Sequence, residues 1–151
     1  MLFNVLKWIH VLSAISAVGS NITYGIWISR ASRNPEALPF TLRGIKLIDN
    51  QLANRAYGLL FITGLLMVFL VKIPLTTPWL LVALILYLAL GLTGFLGYTP
   101  ALKKQIQLLE SQGSDSTEYQ AIARRGLWLG VILVILAIAI VFLMVVKPRL
   151  W

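Results

Sequence analysis

The chain has 151 residues, 59% hydrophobic and only 12% charged, with a formal net charge of +8 and no cysteine. Soluble domains carry roughly a quarter charged residues, and a soluble fold of this length could not hide so much apolar surface. Without thiols, disulfides, iron–sulfur clusters and thiolate metal sites are excluded. The positive charge lies at helix ends and in loops, where anionic lipid headgroups attract it, so a bilayer rather than nucleic acid is the expected partner.

A bilayer core of ~30 Å needs about 20 apolar helical residues, and four segments qualify: 2–28, 53–71, 79–96 and 127–146. The first exceeds the ~7–15 residue apolar run of a signal peptide. The fold class expected is therefore all-α, an antiparallel four-helix membrane bundle in a single domain covering residues 1–151. Trp8, Trp27, Trp79, Trp128 and Trp151 fall near the ends of the spans, as interfacial tryptophans do. Pro35 and Pro39 break the chain after the first span. The link Lys72–Pro78 is short and holds two prolines, which predicts a tight hairpin of the second and third spans. Thr99 and Pro100 form a cap and first-turn pair, and Leu102, Ile106 and Leu109 make one apolar stripe. An amphipathic helix over 100–112, stopped by Gly113, is expected there. Residues 114–118 form a turn and helix start, from which the last helix continues unbroken into the fourth span.

The first span has two unlike faces. Val11, Ile15, Val18, Ile22 and Ile26 form a β-branched stripe suited to lipid. His10, Ser13, Ala14, Ala17, Ser20, Asn21 and Tyr24 share the other side at ~100° per residue. Small and polar residues gather where membrane helices meet, so this face is a helix–helix interface. On the third span, Gly91, Gly94 and Gly97 also favour close packing. Tyr87, near mid-bilayer, needs a partner for its hydroxyl, most simply a backbone carbonyl.

His10 is the only histidine, and it sits ~8 Å from the midplane by the helical rise. Ionisable groups at such depth are costly and serve a purpose or are paired. The readings open to it are an interhelical hydrogen bond, an axial bond to haem iron, a bond to a chlorophyll-like magnesium, or a proton relay. Met67 on the second span lies ~7 Å from the midplane on the same side and is the candidate second ligand, beside a vacant sixth position. Ser13, Ala14 and Ala17 leave room for a flat ring, so the candidate cofactor residues are His10, Met67, Ser13 and Ala17, with His10 the metal ligand. Asp49, Asn50, Asn54 and Arg55 gather where the second span begins, read as a solvated helix start with a snorkelling arginine or an anion clamp. No catalytic constellation, phosphate loop or membrane carboxylate pair is present.

Lys7-Trp8-Ile9-His10-Val11-Leu12-Ser13-Ala14, together with Leu47-Ile48-Asp49 and the stretch Leu59 to Leu65 with its Thr63-Gly64-Leu65 element, resembles a family of small bacterial proteins described as predicted integral membrane proteins of unknown function. The likeness covers the larger part of the chain. The opening is also similar to the copper-resistance protein D membrane domain and to bacterial membrane-bound protoporphyrinogen oxidase. In that oxidase a first-helix histidine is associated with haem, so the resemblance implies haem ligation by His10.

Two functions are expected from these readings. One is a membrane protein binding b-type haem or a related tetrapyrrole through His10. The other is a non-catalytic accessory subunit within a larger membrane complex or homo-oligomer. Arg30, Arg33, Arg43, Lys46, Arg55, Lys103, Lys104, Arg124 and Arg125 flank the two long loops, against Lys7, Lys72, Lys147 and Arg149 at the other end. The positive-inside rule then puts the long loops in the cytoplasm and the termini outside the plasma or inner membrane. A cysteine at Gly113 should accordingly resist a membrane-impermeant thiol reagent in intact cells, while one at the C-terminus reacts; the reverse pattern inverts the orientation.

Overall fold

The computed structural model describes residues 1–150 and is all-helical. Six α-helices and two π-helical turns make four long runs, each long and apolar enough to cross a membrane. Helix α1 spans Leu2–Ala31. Helix α2, Leu38–Ile48, passes through a π-helical turn at Asp49–Ala53 into α3, Asn54–Val71. Helix α4, Pro78–Leu92, passes through a second π-helical turn at Thr93–Tyr98 into α5, Thr99–Gln112. Helix α6 spans Thr117–Val146. Four crossings return the chain to the end where it began, so both termini share one end of an antiparallel bundle and the two longer loops share the other.

The four spans are where hydropathy puts them, but their extensions differ from the sequence reading. The stretch after Pro39 is helical: Leu38, Leu42 and Ile45 are buried, an i, i+4, i+7 stripe set among polar residues. Thr99 and Pro100 do not start a separate helix. Proline has no N–H and would orphan a carbonyl in a regular helix; the wider turn at Thr93–Tyr98 precedes it, and the run continues without a break. Gly113 does end α5, at φ +81°, and the Ser116 hydroxyl caps α6 by accepting from the Tyr119 N–H at 3.2 Å. Helices α2 and α5 and the start of α6 form a small core at the loop end around Leu42, Leu102 and Tyr119. Arg43 and Glu110 tie α2 to α5 at 2.6 Å, an exposed pair worth at most ~1 kcal/mol.

Within the membrane, α1 packs on α3 and α6, and α4 packs on α6. The expected tight hairpin of α3 and α4 does not form. Their backbones do not approach closely among the described residues, because each is taken up by a different neighbour. Gly97 meets α6 closely, a Cβ there falling 3.2 Å from a Leu129 methyl, and Gly94 faces Leu133; Gly91 lies open. On α1, Ser13, Ala17, Ser20 and Tyr24 are buried, while Ile15 and Ile26 are over 60% exposed. Val18 departs from its stripe and packs against the core. Ala17→Leu should destabilise the bundle by ~1–3 kcal/mol through overpacking, whereas Ile15→Leu should change nothing. Thermal unfolding in detergent reads both; equal losses would mean that Ala17 is not at the packed seam.

Candidate functional site

The separation of α3 from α4 opens a cleft of about 850 Å³ toward the terminus end, within the range of small-molecule sites. Its walls come from all four long runs and are almost wholly apolar. Val11, Ala14 and Ile15 line it from α1, Leu60 and Met67 from α3, Leu80 and Ala83 from α4, and Ile140 and Met144 from α6. Ile15 and Val11 are also well exposed, so the cleft opens sideways toward the hydrocarbon. Tyr57 and Tyr87 line its inner part. The Tyr87 hydroxyl donates to the Tyr57 carbonyl at 2.5 Å, the backbone partner its depth requires, and its ring stacks on Phe61 with centroids 5.8 Å apart. At the outer mouth stand Lys7 and Lys147, the latter with its ammonium 5.4 Å from the Trp79 ring centre.

His10 is the one ring nitrogen pair in this wall, and α3 fixes its orientation. Gly64 makes room: a Cβ there would lie 3.2 Å from His10 Cε1. One turn position earlier, Thr63 Oγ1 lies 2.9 Å from His10 Nδ1. The same hydroxyl lies 2.6 Å from the Leu59 carbonyl and 3.4 Å from that of Leu60. A carbonyl only accepts, so the single hydroxyl hydrogen goes to Leu59. Nδ1 must then supply the hydrogen of its own bond, and in a neutral imidazole that leaves Nε2 with a free lone pair. Holding one ring nitrogen to orient the other is how metal-bound histidines are set.

His10 and Met67 therefore meet in one cleft. Ser13 and Ala17 do not line it: they are 7% and 0% exposed, in the seam where α1 packs on its neighbours. Ala14, Val11 and Ile15 form that wall instead, because the cleft cuts across the edge of the small-residue face. Sequence reasoning missed Met144, since the last span reads as uniformly apolar, and it missed the lysines at the mouth. Thr63-Gly64 was visible as a short element, without a partner. Arg55 is exposed and Asp49 is buried, so the helix start at 49–55 is only half solvated. Among the described residues no three His, Cys, Asp or Glu side chains gather as a metal site.

Residues 4–148 match the DUF2269 family, described as predicted integral membrane proteins; the chain belongs to this family and is a multi-pass membrane protein. Comparison with curated proteins and with solved structures found no match.

Because the protein has one histidine, ¹⁵N-histidine labelling reports one imidazole. Its spectrum should show the Nδ1–H form. Thr63→Val, which keeps the volume and removes the hydroxyl, should shift the ring to a mixture of tautomers, at ~1 kcal/mol for the lost bond. An unchanged spectrum would sever the link to Thr63.

Proposed function

We propose that the cleft binds a tetrapyrrole, b-type haem or a close relative, which His10 Nε2 would hold. The observation that carries this reading is the 2.9 Å contact of His10 Nδ1 with the Thr63 hydroxyl in the wall of an apolar cleft: with Nδ1 as the donor, a neutral imidazole keeps its Nε2 lone pair for a metal. The donor chemistry fits, since imidazole nitrogen suits iron. The volume is within the range of cofactor sites, and the walls favour a flat apolar macrocycle. Lys7 and Lys147 at the mouth suit its carboxylate edge, a task that Arg55, at the other end of α3, does not serve. When bound, the group supplies redox or electron-carrying chemistry; the chain's own residues hold it, orient the imidazole and keep the site dry. The likeness of the first helix to copper-resistance protein D and the membrane-bound oxidase belongs to this proposal.

Met67 would be a weak second ligand: it lines the same cleft, three residues after Gly64 on the helix against which the His10 ring rests. Met144 stands on another wall, from α6. A second reading, the accessory subunit, is favoured by α2, where Phe40 is 83% exposed and Leu47 57% exposed beside the loop-end core; these side chains suit a partner subunit.

Absorbance of the purified protein, oxidised and reduced, decides between them. A Soret band is expected that His10→Ala abolishes without removing the protein from the membrane, and that Met67→Leu leaves unchanged. Absence of any tetrapyrrole in protein isolated with its native complex supports the accessory-subunit reading; a band that survives His10→Ala overturns ligation by this residue.

A further inference from the structure

A second buried polar centre lies at the loop end of the bundle, away from the cleft's ligand. Asp49 opens the first π-helical turn and is 7% exposed. The groups facing it come from each element packed on that turn. From α1 comes Tyr24, from α3 come Asn54 and Tyr57, and from the second π-helical turn and α5 come Tyr98 and Thr99; the nearest cations in sequence are Lys46 on α2 and the exposed Arg55 on α3. Neither Lys46 nor Arg55 pairs with it, the one ion pair among the described residues being Arg43–Glu110. Its polar neighbours are neutral: the Asn54 amide, which donates at a long 3.5 Å, and the Thr99 hydroxyl. A carboxylate without a cation in such surroundings is compensated by a proton.

The Tyr24 hydroxyl is the independent sign. Tyr24 is 4% exposed, and its hydroxyl is the one buried side-chain polar atom with no hydrogen-bond partner among the described residues. Tyr24 stands on α1, which packs on the turn that carries Asp49. A buried hydroxyl with no bond of its own, on a helix packed against a buried carboxyl without a cation, calls for an explanation.

We infer that Asp49 and Tyr24 form a proton-binding site at the loop end of the bundle, in which the carboxyl takes up a proton from the aqueous loop side and the Tyr24 hydroxyl bonds it in one of the two states. Only a proton moves: it leaves water, adds to an Asp49 oxygen, and is released the same way, with no other bond made or broken. The turn at Asp49–Ala53 carries Asp49 at its first position, and single π-helical turns inside α-helices recur at functional sites. The inference stands whichever ligand the cleft holds.

The test is infrared spectroscopy of the full chain in lipid vesicles. The other four acidic side chains, Glu36, Glu110, Asp115 and Glu118, are all exposed to water, and Asp49 alone is buried. A protonated-carboxyl carbonyl band at pH 7 therefore reports Asp49. One such band is expected, absent in Asp49→Asn and shifted in frequency in Tyr24→Phe. It should also shift promptly in heavy water, since a site that exchanges its proton with the loop side must exchange deuterium too. No band at pH 7, or a band that persists in Asp49→Asn, overturns the site. A band indifferent to Tyr24→Phe overturns the pairing, and one that never shifts in heavy water marks a sealed structural proton and overturns exchange. Since Tyr24→Phe removes a hydroxyl that has no partner, it should fold as the parent does and keeps the test decisive if Asp49→Asn does not.

Discussion

Hydrocarbon offers no hydrogen bond, so every polar side chain carried into these four runs has to be met from within the chain. Some are met on their own helix: Ser20 donates to the Ser16 carbonyl and Thr23 to that of Ser20. Apart from the Gln105 amide, which donates to the Tyr119 hydroxyl between α5 and α6 in the loop-end core, the buried bonds that cross between helices converge on α3. His10 joins it at Thr63, Asn21 at the Tyr57 hydroxyl, and Tyr87 at the Tyr57 carbonyl. Helix α3 is thus the polar hub, fastened to α1 on one side and reached by a single long side chain from α4 on the other. Helix α6, with no polar side chain across its apolar stretch, is held by shape alone, through glycines of the α4 run that admit Leu129 and Leu133.

That division explains why the cleft exists. Close packing needs small residues, and the π-helical turn after α4 gives Gly94 and Gly97 to α6. Toward α3, α4 presents the large Tyr87 side chain. The short link at Lys72–Thr77 joins the helices at the terminus end without drawing them together along their length. The Tyr87–Phe61 stack lines this gap, which opens sideways past Val11 and Ile15. A cavity so placed is shielded from the loop-side water by the core around Leu42 and Tyr119, and its open flank faces lipid.

The four spans were legible because about twenty consecutive apolar residues admit no other reading in a protein. The buried face of α1 was legible from period alone, apart from Val18. The hairpin expectation failed because loop length constrains the ends of two helices and says little about where their middles go. Helix α2 was hidden since its stripe of Leu38, Leu42 and Ile45 is broken by charged residues that face water. The pairing of His10 with Thr63 and Gly64 could not be read at all from one sequence: residues 53 positions apart carry no shared period. Asp49 was misjudged for a related reason. A carboxylate at a helix start ordinarily meets solvent and the helix dipole, but here the helix had already begun at Leu38, so the residue falls inside a run rather than at its head.

The two ends of the bundle consequently have different chemistry. At the terminus end, two lysines rim an apolar cleft whose one strong donor is a histidine held in place by a hydroxyl that has already spent its hydrogen. At the loop end, a carboxyl and a phenol lie buried between two π-helical turns. Tyr57 stands between these regions: its carbonyl and ring belong to the cleft's inner wall, while its hydroxyl accepts from Asn21 at 2.6 Å and lies within the field of Asp49. A hydroxyl so placed cannot also face the cleft, so the two centres share a residue without sharing a hydrogen bond. Any influence of one on the other has to pass through the position of α3 itself, the helix on which the His10 ring rests and into which the Asp49 turn runs.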